Sequence, residues 1–180
     1  YPLRRQRQMC IRDRNNIPEI IEFSEKLSAP VLTTFKAKGQ ISDAHPLAVG
    51  VLGKSGTPVS AHYMNTADLL IVFGASFSQH TGIDKNKPII QVDNNRMALA
   101  KFHAVENPVW GDAGITAKLF TEKLAGFFQS KITKEQIAAR KTDWRNKKAE
   151  MAKQTNRNGL NSVFVFNELS RILPESAVIC

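Results

Sequence analysis

The stretch Asp68-Leu-Leu-Ile-Val-Phe73 decides the fold of this chain. It is apolar on both faces, which is typical of a central parallel strand covered by helices on each side. Two further apolar runs, residues 30–35 and 87–92, predict two more buried strands, and a short extended stretch follows at residues 108–110. Several short buried strands of this kind predict a parallel sheet.

Helical patterns alternate with these strands. Apolar residues lie at near-helical spacing over residues 17–27, with Asn16 available as an N-cap, and a second helix is predicted over residues 58–66. A helical turn is expected near residues 95–100. A further helix is predicted over residues 113–128, and its expected inward face consists of Ile115, Leu119, Leu124, Phe127 and Phe128. Strands alternating with helices indicate an α/β domain, a doubly wound parallel sheet, over about residues 15–128.

The composition is that of a soluble globular protein, with 42% apolar and 23% charged residues in a chain of 180. No apolar run reaches the roughly 18 residues of a membrane span, so no membrane partner is expected. Cys10 and Cys180 lie at opposite ends of the sequence. Disulfide-stapled secreted proteins pair their cysteines densely, and this usage favours a cytoplasmic location.

The formal net charge of +9 is concentrated in two segments. Residues 1–14 carry five arginines and one aspartate, and residues 131–158 carry nine basic and three acidic residues. The remainder is close to neutral. A nucleic-acid-binding protein is expected to show a basic face and a recognisable module, and neither is found, so no nucleic-acid partner is expected.

The same segments divide the chain. Residues 1–14 lack apolar periodicity and are interpreted as foreign or unstructured sequence. Residues 129–160 predict a charged linker helix lying on a surface. Residues 161–180 restart the alternation with a helix over residues 161–173 and an apolar strand over 177–180. We expect the chain to be a fragment that stops at the truncated start of a second α/β domain.

Ligands of open α/β sheets bind beyond the carboxyl ends of the strands, which directs attention to the residues that follow each strand. Residues 36–57 are interpreted as one long loop. Glycines allow phosphate oxygens to approach the backbone closely, and the amino end of a helix beginning at Pro58 would attract the negative charge of a phosphate. An acidic residue at a strand end can accept hydrogen bonds from ribose hydroxyls. The candidate residues are Gly53, Gly56, Thr57, Gly74, Ala75, Ser76 and Asp93. Their spacing matches neither the dinucleotide fingerprint nor the P-loop, so turn glycines without a ligand remain an equal alternative.

No catalytic or metal-binding set is evident. The histidines at 45, 62, 80 and 103 lack metal-ligand spacing, and there is no Gly-x-Ser-x-Gly elbow. His45, before Pro46, is expected to fix its loop, and His62 to be a packing residue of a helix.

The order of the motifs resembles the central domain of thiamine-diphosphate-dependent enzymes. The resemblance rests on the stretches at residues 27–34, 38–39, 45–57, 67–77, 88–93 and 111–112. It covers about residues 17–128, and within the family this chain is most similar to acetolactate synthases, pyruvate oxidases and related 2-oxo-acid decarboxylases. Residues 161–180 resemble the opening of that family's C-terminal, diphosphate-binding domain.

This resemblance implies an enzyme of three α/β domains. The family's N-terminal domain supplies a glutamate that activates the cofactor, and its C-terminal domain holds magnesium and the diphosphate with a Gly-Asp-Gly to Asn motif. Both lie outside this sequence, so no residue here is expected to be catalytic. The intact protein is expected to bind thiamine diphosphate and Mg²⁺, to decarboxylate a small 2-oxo acid, and to form a homodimer or homotetramer.

The resemblance also raises the question of FAD. Acetolactate synthases and pyruvate oxidases bind FAD in this domain, while in several decarboxylases the domain is a scaffold. The matching positions are the seven candidate residues named above, and Ser76 stands where acetolactate synthases typically have Arg. Two alternatives remain open: a stand-alone dinucleotide-binding domain, and a subunit-interaction domain without catalysis.

Overall fold

A computed structural model describes residues 16–75, 77–78, 80–124, 131–154, 159–174 and 177. The chain divides into two compact units, Tyr1–Ala138 and Ala139–Cys180. The first unit contains all the strands of the described residues, and its architecture is an α/β fold with parallel strands. The predicted fold class is therefore confirmed.

Five short strands form two parallel sheets. Strands β1 (Val31–Thr33) and β2 (Ala48–Val51) pair with each other. Strands β3 (Leu70–Phe73), β4 (Ile89–Asp93) and β5 (Asn107–Trp110) form the second sheet in that order. The register places Phe73 opposite Val92, and Asp93 opposite Trp110, so the carboxyl ends of the three strands lie at one edge. The predicted strands at residues 30–35, 68–73 and 87–92, and the extended stretch at 108–110, are confirmed.

Five helices accompany the strands in the part of the chain that the structure describes. They are α1 (Ile17–Leu27), α2 (Pro58–Thr66), α3 (Ala113–Lys123), α4 (Lys134–Lys153) and α5 (Ser162–Ile172). Helices α1, α2, α3 and α5 begin within one residue of their predicted starts. The expected turn near residues 95–100 is a short 3₁₀ helix, Arg96–Ala98.

The prediction of one loop over residues 36–57 is wrong, because strand β2 lies within it. The strand has only four residues, and Gly50 in its middle adopts a φ of +95°. Glycine normally weakens a strand, so the local sequence indicates a loop. Pairing with β1 overrides that preference: Ala48, Val49 and Val51 are buried.

The inward face of α3 is a second correction. Ile115 is 65% exposed, and Leu119 and Leu124 are also exposed. The buried positions carry small side chains instead, namely Ala113, Gly114, Thr116, Ala117 and Thr121. Helix α3 packs against α1 and β4, and small residues permit a close approach of backbones. Phe127 and Phe128 lie outside the described residues.

The close approach of α1 and α3 is visible at their amino ends. Asp112 caps α3 by accepting the N–H groups of Gly114 and Ile115, at 3.0 and 3.1 Å. Asn16 donates from Nδ2 to both carboxylate oxygens of Asp112 at 3.1 Å. A Cβ on Gly114 would lie 2.9 Å from Cγ of Asn16. The contact therefore requires glycine at this position.

One apolar cluster lies at the centre of the first unit. Its buried members are Leu52, Met64, Leu70, Phe77 and Ile89. They come from β3, β4, α2 and the segments that follow β2 and β3. Val59, Tyr63 and Met64 of α2 are buried.

The second unit contains most of α4 and all of α5. Helix α4 is the charged helix predicted within residues 129–160, and Ile137, near its start, is fully buried in the first unit. Asn161 caps α5 through its side chain, and no residue of α5 is buried. The apolar strand predicted over residues 177–180 falls almost entirely outside the described residues. None of the described helices combines the length and the apolar character needed to cross a bilayer.

Candidate functional site

The carboxyl edge of the three-stranded sheet brings two predicted site residues together. Gly74 directly follows β3, and its N–H donates to the carbonyl oxygen of Val92 at 2.9 Å. Asp93 is the next residue after Val92 and ends β4. Gly74 and Asp93 are therefore neighbours across the sheet, as the parallel topology predicts.

The carboxylate of Asp93 lies partly buried at this edge. It accepts the backbone N–H of Asn95 at 2.7 Å. Burial raises the pKa of Asp93, and the bond from Asn95 lowers it by less. Partial desolvation favours the neutral form of a carboxyl, so this group retains its charge less readily than a surface aspartate.

An exposed aromatic ring flanks Asp93. Trp110 ends β5, is 66% exposed, and donates from Nε1 to the carbonyl oxygen of Asn94 at 3.1 Å. The guanidinium of Arg96 lies 5.9 Å from the centre of its ring. Sequence reasoning passed over Arg96 and Trp110 because neither belongs to a recognisable motif.

The other predicted residues lie in the loop of residues 52–57, which follows β2. Gly56 donates its N–H to the carbonyl oxygen of Gly53 at 2.9 Å, and Thr57 donates its N–H to that of Val51 at 2.9 Å. The Thr57 hydroxyl donates to the Val49 carbonyl and accepts the N–H of Ser60, both at 3.1 Å. Thr57 is thus the N-cap of α2.

The loop of residues 52–57 contacts the segment that follows β3. Lys54 donates its N–H to the carbonyl oxygen of His80 at 3.2 Å. A Cβ on Gly53 would lie 2.6 Å from that oxygen, and a Cβ on Gly82 would lie 3.5 Å from Cα of Gly53. The sequence analysis did not single out Gly82, although a glycine after the loop of a central strand is a signal of close backbone approach.

The seven predicted residues therefore fall into two groups. Gly74 and Asp93 share the sheet edge, with Ala75 half-buried beside Gly74. Gly53, Gly56 and Thr57 belong to the loop after β2. Ser76 lies outside the described residues. Their assignment to a nucleotide remains a prediction.

The histidines lie in structural positions. Nε2 of His45 contacts Oε1 of Glu25 at 3.1 Å, and Nδ1 accepts the N–H of Leu47 at 3.2 Å, which fixes the loop as predicted. His62 packs edge-on against Tyr63 at 5.1 Å, and His103 packs against Phe77 at 5.5 Å. Among the described residues no group of three or more His, Cys, Asp or Glu side chains could hold a metal ion.

The structure defines the class of protein as an α/β domain with parallel strands and a glycine-rich loop at the carboxyl end of one strand. The family model for the central domain of thiamine pyrophosphate enzymes matches residues 9–120. This chain belongs to that family.

The chain is also similar in sequence to several named proteins. The chain is 36% identical over 111 residues to a probable acetolactate synthase large subunit from Methanococcus aeolicus, covering 59% of this chain and 18% of that protein. It is 34% identical over 104 residues to the putative thiamine pyrophosphate-containing protein YdaP from Bacillus subtilis, covering 58% and 18%. It is 32% identical over 148 residues to a sulfoacetaldehyde acetyltransferase from Roseovarius nubinhibens, covering 75% and 24%. The matched part of the chain thus spans about a fifth of the length of these relatives.

Proposed function

We propose that this chain supplies the central domain of a thiamine-diphosphate- and magnesium-dependent enzyme that decarboxylates a small 2-oxo acid and transfers or oxidises the product. The observation that carries the proposal is the family match over residues 9–120, joined to the parallel α/β fold of the described residues from Ile17 to Lys123. Relatives named acetolactate synthase support the 2-oxo-acid substrate class, and those named sulfoacetaldehyde acetyltransferase support a transfer step.

In this proposal the described residues form a scaffold and the chemistry belongs to other domains. When bound, thiamine diphosphate serves as an electron sink for decarboxylation. The described residues offer no cluster of metal ligands, and the carboxylate of Asp112 is occupied in capping α3 and bonding Asn16. The scaffold role follows from this use of polar groups for internal structure.

The experiment is to express the complete reading frame that contains this sequence and to measure CO₂ release from pyruvate and other small 2-oxo acids. We expect release that requires both thiamine diphosphate and Mg²⁺ and that stops when Mg²⁺ is chelated. A frame that lacks an upstream strand-borne glutamate and a downstream Gly-Asp-Gly to Asn motif, or a protein inactive on every 2-oxo acid, would contradict the proposal.

We also propose that the protein is a cytoplasmic homo-oligomer. Helix α5 supports an assembly, because Phe166 and Ile172 are 61% and 73% exposed on it. Large apolar side chains exposed to solvent are candidates for contact with another chain. Light scattering after gel filtration of this chain should give a mass above its 20.1 kDa monomer, and Phe166→Asp should lower that mass. A monomer at micromolar concentration would contradict the assembly through this helix.

A further inference from the structure

The glycine-rich loop of residues 52–57 has its space filled by the protein itself. Phosphate-binding glycines are needed because the ligand approaches the backbone where a Cβ would otherwise lie. Here a Cβ on Gly56 would lie 2.3 Å from the carbonyl oxygen of Val51, and one on Gly53 would lie 2.6 Å from that of His80. Both glycines are therefore required by neighbouring backbone.

The groups that approach these glycines have the wrong polarity for a phosphate. Val51 and His80 present carbonyl oxygens, which carry partial negative charge. A diphosphate oxygen placed at either Cβ position would meet a carbonyl oxygen, which is an acceptor. The close approach therefore opposes an anion, whereas phosphate-binding loops present N–H groups.

Three backbone donors of the loop already bond carbonyl oxygens of the protein. The N–H groups of Lys54, Gly56 and Thr57 donate to the carbonyl oxygens of His80, Gly53 and Val51. At the start of α2, Pro58 has no N–H, and Ser60 donates its N–H to the Thr57 hydroxyl. An anion that used these N–H groups would have to displace their bonds, which a phosphate site with a free helix terminus does not require.

Both glycines therefore face backbone carbonyl oxygens, which do not suit the diphosphate of FAD. We infer that residues 52–57 and 80–82 form a lock between two loops, which joins the carboxyl ends of β2 and β3, and that this domain holds no dinucleotide diphosphate there. The inference goes beyond the proposed function, since it concerns the central domain alone. It also gives the glycines a role that requires no ligand.

The first test is amide hydrogen exchange on the purified chain, with and without FAD. The N–H groups of Lys54, Gly56 and Thr57 should be protected in the free protein, and added FAD should leave their exchange unchanged. Rapid exchange in the free protein, with protection gained on adding FAD, would overturn the inference. Activity with thiamine diphosphate does not enter this readout, so failure here is distinct from failure of the proposed function.

The second test compares two glycine variants that both place alanine at a positive φ. Gly53 and Gly39 both have positive φ, +139° and +88°, but a Cβ on Gly39 would meet nothing within 4 Å. Without any ligand, Gly53→Ala should unfold at a temperature about 5 °C below Gly39→Ala. Equal melting temperatures would contradict the lock.

Flavin fluorescence completes the comparison. FAD is titrated into the wild-type chain and the two variants. We expect that any saturable binding is not weakened by Gly53→Ala more than by Gly39→Ala. Saturable quenching by the wild-type chain and by Gly39→Ala that is lost in a folded Gly53→Ala would overturn the inference. Equal binding by all three proteins would place FAD away from this loop, in agreement with it.

Discussion

The contact between α1 and α3 predicts that Gly114→Ala destabilises this protein, although alanine is the better helix former. The substitution gains up to about 1 kcal/mol of helix propensity. The new Cβ would lie 2.9 Å from Cγ and 3.0 Å from Cβ of Asn16. Because the Asn16 Cβ is bonded directly to the backbone, it cannot move aside as the end of a flexible side chain can.

The magnitude follows from two opposing effects. Overpacking of a close contact costs about 1–3 kcal/mol. Moving Asn16 also strains its hydrogen bonds to Asp112, which are worth about 1 kcal/mol at a partly exposed position. After subtraction of the propensity gain, Gly114→Ala should lower the free energy of unfolding by about 1–2 kcal/mol.

A double-mutant cycle with Asn16→Gly supplies the control, because that change removes both atoms of the clash. Urea unfolding followed by circular dichroism should give a loss for Gly114→Ala in the wild-type background. In the Asn16→Gly background the same change should be neutral or stabilising. Equal stabilisation in both backgrounds would refute the reasoning, since it would show that α1 and α3 are not in contact at this point.

Three further predictions follow from single side chains. Asp93→Asn should raise the free energy of unfolding at neutral pH, because the raised pKa of Asp93 means that the stabilising protonated form of the wild-type carboxyl is lost as pH rises. Urea titrations across pH should show that the advantage of the variant over wild type vanishes below the ordinary aspartate pKa. His45→Ala should cost about 1 kcal/mol, since the N–H of Leu47 loses its acceptor; unchanged urea stability would contradict this. Ile115→Gln should change the free energy of unfolding by less than about 0.5 kcal/mol because Ile115 is exposed, and Ala117→Leu should lower it by about 1–3 kcal/mol because Ala117 is buried. A larger loss for Ile115→Gln than for Ala117→Leu would show that α3 packs through its large apolar residues, as the sequence predicts.

The strands that the sequence predicts best are the ones with continuous apolar runs. Residues 68–73 need no partner to be recognised, because their composition is incompatible with a solvated loop. Strand β2 could not be found in this way. It exists because β1 lies beside it, and local residues such as Gly50 argue against it.

The face of α3 shows a different limit. Hydrophobicity identifies large apolar residues, so it selects Ile115 and Leu119 as inward positions. The actual packing depends on how closely two backbones approach, and that distance is set by the small residues Ala113, Gly114 and Ala117. Nothing in the sequence of α3 alone distinguishes a helix that packs closely through small residues from one that packs through large ones.

The sequence predicts where the candidate site residues lie, but it does not predict what the glycines of the site contact. The rule that ligands bind beyond the carboxyl ends of parallel strands locates Gly74 and Asp93 at one edge from sequence alone. Whether Gly53 faces open space or protein depends on His80 and Gly82, which belong to another loop. A glycine pattern records that a backbone approaches something closely, without recording what it approaches.

The side chains beside the lock support the same interpretation as its backbone. Leu52, at the start of the loop after β2, donates its N–H to the carbonyl oxygen of Thr33 at 2.8 Å, and its side chain is buried in the central cluster. Phe77, in the segment after β3, is buried in that cluster although its φ is +51°, a strained value for a bulky residue. Such strain persists only where surrounding contacts compensate for it. Both loops are thus held by the core behind them and by each other in front, which is the property required of a scaffold that keeps its shape with no ligand in the loop.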